Sequence, residues 1–281
     1  MSESDKYPEA SGRRRFVKGV VGSATLAAVG TTGAVTIDSV TSPSGGAGGQ
    51  MEYFGIENTD GPAPRAMPML PVEIDDEGFL KGVYPEVSEE TTERGETVTV
   101  VKQELGGTTY SVRWFQYCGV QGYEGISPGY EGDNYFRYSS GYDWQPETGQ
   151  RVNVEDFADY AEWGNGIGSA GIGKPAKVTW RSQDVENTIP VQILRTDLLS
   201  DVIADATGEA AEWLEAVTQN DFMAWLNKCT HFCCVPGYKT TEQSAQFGAE
   251  DESYCPCHQS VYDPYSIVKK RFVPFPRPEE G

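Results

Sequence analysis

Two histidines occur in 281 residues, and each lies beside cysteines: Cys229-Thr230-His231 and Cys255-Pro256-Cys257-His258. A chain this poor in histidine that places both in Cys-His clusters is built to hold a metal. Each cluster offers one thiolate and one imidazole at the ends of its spacing, Cys-x-His in the first and Cys-x-x-His in the second. The fold must therefore bring two loops together, with Cys229, His231, Cys255 and His258 as a mixed ligand set. That set suits zinc or an iron–sulfur cluster. Two further clustered cysteines, Cys234 and Cys257, remain free to bridge the loops.

In the usual zinc finger the cysteines come as one pair and the histidines as another. Here each loop mixes the two. Cys234, three residues after His231, has a counterpart in Cys257, just before His258. This arrangement resembles the Rieske family of [2Fe–2S] proteins, whose first box runs Cys-x-His to a second cysteine and whose second opens Cys-Pro-Cys-His and continues to a serine. The resemblance covers about residues 173–281 and the N-terminal segment. It implies one [2Fe–2S] cluster, with Cys229 and Cys255 on one iron and His231 and His258 on the other. It also implies a disulfide between Cys234 and Cys257. Ser260 matches the serine that hydrogen-bonds a bridging sulfide, and Tyr262 the tyrosine that hydrogen-bonds a ligating sulfur. Two positions depart from the family: Cys233 and Gln259 stand where it has glycine. The 20 residues between Cys234 and Cys255 also make a long connection. Glycine permits tight turns, so loop geometry is where this chain is expected to differ.

The fold the resemblance implies is all-β: an antiparallel β base domain with a small cluster-binding subdomain at about 227–265, plus an N-terminal transmembrane helix. The implied function is electron transfer within a cytochrome bc-type complex. The chain would take an electron from quinol and pass it to a cytochrome or a small copper protein. His258, with His231 beside it, would be the proton-accepting group. A cytochrome b-type membrane subunit would be the obligatory partner, so the oxidoreductase acts only in its complex. Replacing two thiolates by imidazoles makes the oxidised cluster neutral and raises its potential, to about −150 to +300 mV against about −400 mV for plant-type ferredoxins. Rieske subunits linked to nitrate or arsenite chemistry are the nearby alternative. A zinc-stabilised module without redox activity is the alternative of another class.

The N-terminus indicates where this chemistry takes place. Residues 1–18 carry Arg13-Arg14 with Phe16 in register, close to the twin-arginine export pattern. Residues 19–37 are 19 uncharged positions; as a helix they span roughly 28 Å, about one hydrocarbon core. The segment is either a signal peptide removed after export or, as we expect, a retained membrane anchor, with the soluble domain on the extracytoplasmic face of the cell membrane, where a disulfide persists. Residues 38–50, rich in Gly and Ser, read as a hinge or spacer.

Residues 51–281 read as the soluble domain. Thr97–Gln103 and Thr108–Phe115 predict a hairpin across Gly106-Gly107. Ala176–Arg181 and Pro190–Leu194 predict two further strands. Ala210–Asn227 carries apolar residues at helical spacing, interrupted near Thr218–Asp221. The stretch Gly122–Trp144 predicts a long loop whose aromatic residues pack its own core. The proline-rich residues 272–278 sit where the family has a stiff lid over the cluster, whereas Gly61-Pro62-Ala63-Pro64 reads as an ordinary turn-rich segment. Cys118 and Cys233 either form a second disulfide or remain two buried thiols. A net charge of −20, from 42 acidic and 22 basic side chains, opposes binding to nucleic acid. It fits a protein kept soluble in concentrated salt, as in a haloarchaeal source.

Overall fold

A computed structural model of the chain describes residues 51–91, 95 and 97–273. The expected export segment, membrane helix and hinge at 1–50 lie outside the described residues, as do 274–278 of the expected lid. Among the described residues, no helix is long and apolar enough to cross a membrane.

The described chain is mostly antiparallel sheet with few helices. It begins with β1 (Met51–Asp60), followed by the short strands β2 (Met67–Pro68), β3 (Val72–Ile74) and β4 (Leu80–Gly82). A three-stranded meander comes next: β5 (Val87–Thr91), β6 (Thr97–Leu105) and β7 (Thr108–Ser111). The hairpin between β6 and β7 turns on Gly106 and Gly107, with φ of 50° and 69°. Two consecutive left-handed residues are what a two-residue hairpin needs, and glycine adopts them without strain. The expected second strand is shorter than its sequence suggested, because Val112–Phe115 form a 3₁₀ turn that drives Trp114 and Phe115 into the core.

β8 (Arg137–Tyr138), β9 (Lys174–Trp180), β10 (Ile189–Arg195) and β11 (Phe222–Leu226) form a second sheet in the order β11-β10-β9-β8. Both strands expected near 176–181 and 190–194 are here, paired from Trp180↔Ile189 to Lys174↔Arg195. α1 (Leu198–Asp205) and α2 (Glu209–Val217) connect β10 to β11. The helical reading of Ala210–Asn227 holds only as far as Val217. Phe222–Leu226 is instead a strand, buried at all five positions and paired with β10. A short apolar run buried on both faces has neither a strand nor a helix period, so neighbouring pairing decides its conformation.

β12 (Gly237–Tyr238), β13 (Ser253–Cys255) and β14 (Ser260–Phe272) join β1 and β2 in a third sheet ordered β12-β13-β14-β1-β2. β14 leaves the second cysteine cluster and pairs with β1 from Asp60↔Val261 to Met51↔Phe272. Phe54 stacks on Trp213 of α2, and Trp213 meets Trp114, with ring centroids 5.5 and 4.9 Å apart. The long connection between the cysteine clusters packs Ala249 and Tyr254, with Phe247 against them, onto Val261 of β14 in a small separate core. The 122–144 stretch forms no core of its own: it contains β8, and Phe136 and Tyr138 are buried in the main core. Tyr130 donates to the Gln183 carbonyl, and Arg181 lies 3.7 Å above the Tyr84 ring while its Nε donates to the Gly125 carbonyl.

Candidate metal centre

The two cysteine clusters fold into turns of the same form. In the first, the Cys233 N–H donates to the Cys229 carbonyl at 3.1 Å; in the second, the Gln259 N–H donates to the Cys255 carbonyl at 2.9 Å. Each turn therefore closes four residues after a buried cysteine. Its closing residue is left-handed, with φ of 67° at Cys233 and 62° at Gln259. These are the two positions where glycine was expected, and the backbone keeps the conformation that glycine favours. The first turn is closed further by the Cys229 N–H on the Cys234 carbonyl at 2.7 Å. Asn227 Nδ2 on the Pro236 carbonyl, at 3.0 Å, ties its neck.

Cys234 and Cys257 form a disulfide that joins the two turns, and Cys118 and Cys233 form a second. Cys229 and Cys255 are the remaining thiols, both buried. The Sγ atoms of Cys234, Cys255 and Cys257 lie within 4.8 Å of one another. Two of them are oxidised, so this trio offers a metal only the Cys255 sulfur. The imidazoles of His231 and His258 are neighbours, with ring centroids 4.7 Å apart and planes at 83°. His258 is exposed and His231 half-buried. Phe232, 66% exposed, packs on both rings at 4.3 and 5.2 Å, and Val235 is exposed nearby in the chain.

Three observations test whether these side chains fit a metal group. The buried Nδ1 of His231 has no hydrogen-bond partner, and neither does the buried Oγ of Ser260. Buried polar atoms are seldom left unpaired, so each has hydrogen-bonding capacity to spare. Tyr262 Oη donates to the Cys229 sulfur at 3.2 Å and accepts from the Thr230 N–H at 3.1 Å. The Cys229 thiol is held down at about 5, first by its hydrogen bond with Cys255 and then by those from Tyr262 and the His231 backbone. Burial opposes this shift but does not overcome it. The Cys255 thiol moves up, because its hydrogen bond with Cys229 and its burial both favour the proton. Of the two sulfurs, Cys229 is the one favoured as the thiolate. The donor set, two soft sulfurs with two imidazoles, fits a mixed-ligand iron–sulfur group.

All the residues singled out in the sequence fall in this region: Cys229, Cys255, Ser260 and Tyr262 inside, His231 and His258 toward the rim. Sequence reasoning missed the segment Gly61–Arg65, which lies against both turns. Thr230 Oγ1 donates to the Arg65 carbonyl at 2.7 Å, and a β-carbon on Gly61 would stand 2.5 Å from the Gln259 carbonyl oxygen. The available signal was Gly61-Pro62-Ala63-Pro64 itself, a stiff stretch suited to close packing. Also missed was the clasp beneath the first turn, where Tyr117 donates to the Lys228 carbonyl at 2.7 Å and Lys228 Nζ to Tyr123 at 2.6 Å. No protein-family model, curated protein or solved structure matches this chain.

Proposed function

We propose that this chain is an electron carrier of the Rieske type. Cys229 and Cys255 would hold one iron of a [2Fe–2S] cluster, and His231 and His258 the other. The small core around Tyr254 would belong to a cluster-binding subdomain set on the β base. The reading extends to a membrane-anchored subunit of a quinol-oxidising cytochrome bc-type complex, held by residues 19–37 on the extracytoplasmic side. A cytochrome b-type subunit would be its partner, and a cytochrome or small copper protein its acceptor.

One observation carries this reading. The Tyr262 hydroxyl, buried within the domain, donates to the Cys229 sulfur at 3.2 Å. A structural zinc site has no need of a hydroxyl directed at its sulfur. A redox group does, because such donors favour the more negative state. When bound, the cluster supplies one-electron oxidation and reduction. The protein does the rest. Tyr262 and Ser260 stabilise negative charge on the sulfur side, and burial of Cys229 and Cys255 keeps water from it. His258, exposed at the rim, would accept a hydrogen bond and then a proton from a quinol hydroxyl. The exposed Phe232 and Val235 give that rim an apolar face.

Low-temperature EPR of the reduced protein, with iron and zinc assayed on the same sample, tests the proposal. A rhombic signal with average g below the free-electron value supports the mixed-ligand cluster. Stoichiometric zinc with no iron would overturn it. A redox titration then ranks quinol oxidation against nitrate- or arsenite-linked roles.

A further inference from the structure

The two closing turns hold non-glycine residues in left-handed backbone by different means. At Gln259 the means is packing, with the Gly61 backbone pressed against it. At Cys233 the means is covalent. Its disulfide partner Cys118 is itself left-handed, with φ of 54°, and lies 115 residues away in the chain. Cys118 is fixed independently of that bond: its neighbour Tyr117 is buried and donates to the Lys228 carbonyl. The Cys118 sulfur stands 3.6 Å from the carbonyl oxygen of Cys229. That same carbonyl accepts the N–H of Cys233 and so closes the turn.

We infer that the Cys118–Cys233 disulfide is a positioning device that does the work of a glycine in the first turn. It holds position 233 left-handed, keeps the ring from Cys229 to Cys234 closed, and thereby sets where His231 and Phe232 stand. A side chain at that φ is strained on its own. A bond to a rigidly clasped neighbour removes the freedom to relax. The bond thus acts on the site through the turn. The inference rests on the cluster reading only for its second readout below.

Two double variants of the full chain decide it. Both lack the bond and differ at one position: Cys118→Gly with Cys233→Gly, and Cys118→Gly with Cys233→Ala. Hydrogen exchange is measured on the metal-free proteins over residues 229–234. We expect exchange about tenfold faster in the alanine form, the factor that left-handed alanine strain implies, and near wild type in the glycine form. Wild-type protection in both forms would overturn the inference, since neither bond nor turn residue would then matter. Equal opening of both forms would also overturn it, because the bond itself, not the turn it holds, would be at work. The second readout is the EPR spectrum and reduction potential after reconstitution, unchanged in the glycine form and shifted or lost in the alanine form. Wild-type protein that takes up no iron would defeat the cluster reading, while the exchange pattern would still decide the positioning role.

Discussion

Gly61→Ala is the sharpest probe of how the second turn is held. Gly61 has φ of 80°, and an added β-carbon would meet the Gln259 carbonyl oxygen at 2.5 Å, Ser260 Cα at 2.6 Å and the Gln259 carbonyl carbon at 2.9 Å. The left-handed conformation alone costs alanine about 1–2 kcal/mol. The three atoms met are backbone, which cannot swing aside as a side-chain tip would, so overpacking adds about 1–3 kcal/mol. Gly149→Ala isolates the first contribution, because Gly149 has φ of 91° and no atom within 4 Å of its added β-carbon. Urea unfolding of the two variants, read at unchanged slope, should place Gly61→Ala about 2–5 kcal/mol below wild type and Gly149→Ala about 1–2 kcal/mol below. Bound iron should fall in the first variant only, since the displaced backbone carries Ser260. Equal losses in both variants would show that Gly61 is not pressed against the second turn, and the argument would fail.

Tyr262→Phe removes the hydroxyl on the Cys229 sulfur. It should lower the midpoint potential by roughly 50 mV, the one-electron equivalent of about 1 kcal/mol, at unchanged iron content; an unaltered potential would dismiss that hydroxyl as a tuning group. In the metal-free protein, the thiolate absorbance should rise by one equivalent near pH 5 and vanish in Cys229→Ser. The depressed Cys229 thiol contributes stability that is complete above the ordinary thiol range and lost as pH falls through about 5. The raised Cys255 thiol contributes stability present below that range and lost at higher pH. No absorbance change between about pH 4 and 8 would refute the thiolate assignment. The net charge of −20 should make melting temperature rise with potassium chloride as the Debye length falls from about 10 Å at 0.1 M to about 3 Å at 1 M. A flat dependence would rule out self-repulsion as the main electrostatic load.

The site was more legible in the sequence than the fold. Histidine scarcity and cysteine spacing are local facts, so Cys229, His231, Cys255 and His258 could be picked out directly, while Ser260 and Tyr262 came only from the family resemblance. The β6–β7 hairpin and the β9–β10 pair were visible because glycine turns and alternating burial mark them. The longest strand, β14, was not. Asp263, Pro264, Lys269, Lys270 and Arg271 break its apolar alternation, and two of these residues are held by ion pairs that only the fold supplies. Lys269 reaches Glu52 and Glu209, each at 2.7 Å, and Arg271 pairs with Glu52. The pairing of Cys118 with Cys233 and the seat of Gly61 are long-range facts with no local period. A stiff Gly-Pro-Ala-Pro stretch looks like any turn until its neighbour is known.

The two departures from glycine become intelligible together. A left-handed cysteine and a left-handed glutamine would each loosen a loop if left alone, yet both loops close on the same four-residue pattern. One is held from below by the segment around Cys118, the other from the side by the segment around Gly61. Neither support lies within the boxes. The surrounding β domain therefore supplies the support that glycine would otherwise make unnecessary. The site itself is divided. The sulfurs lie inside with the Tyr262 hydroxyl on one of them, and His258 lies exposed at the rim. On the proposed reading, a change at Tyr262 should move the potential and leave the proton step intact, while a change at Phe232 should alter access to His258 and leave the buried sulfurs untouched.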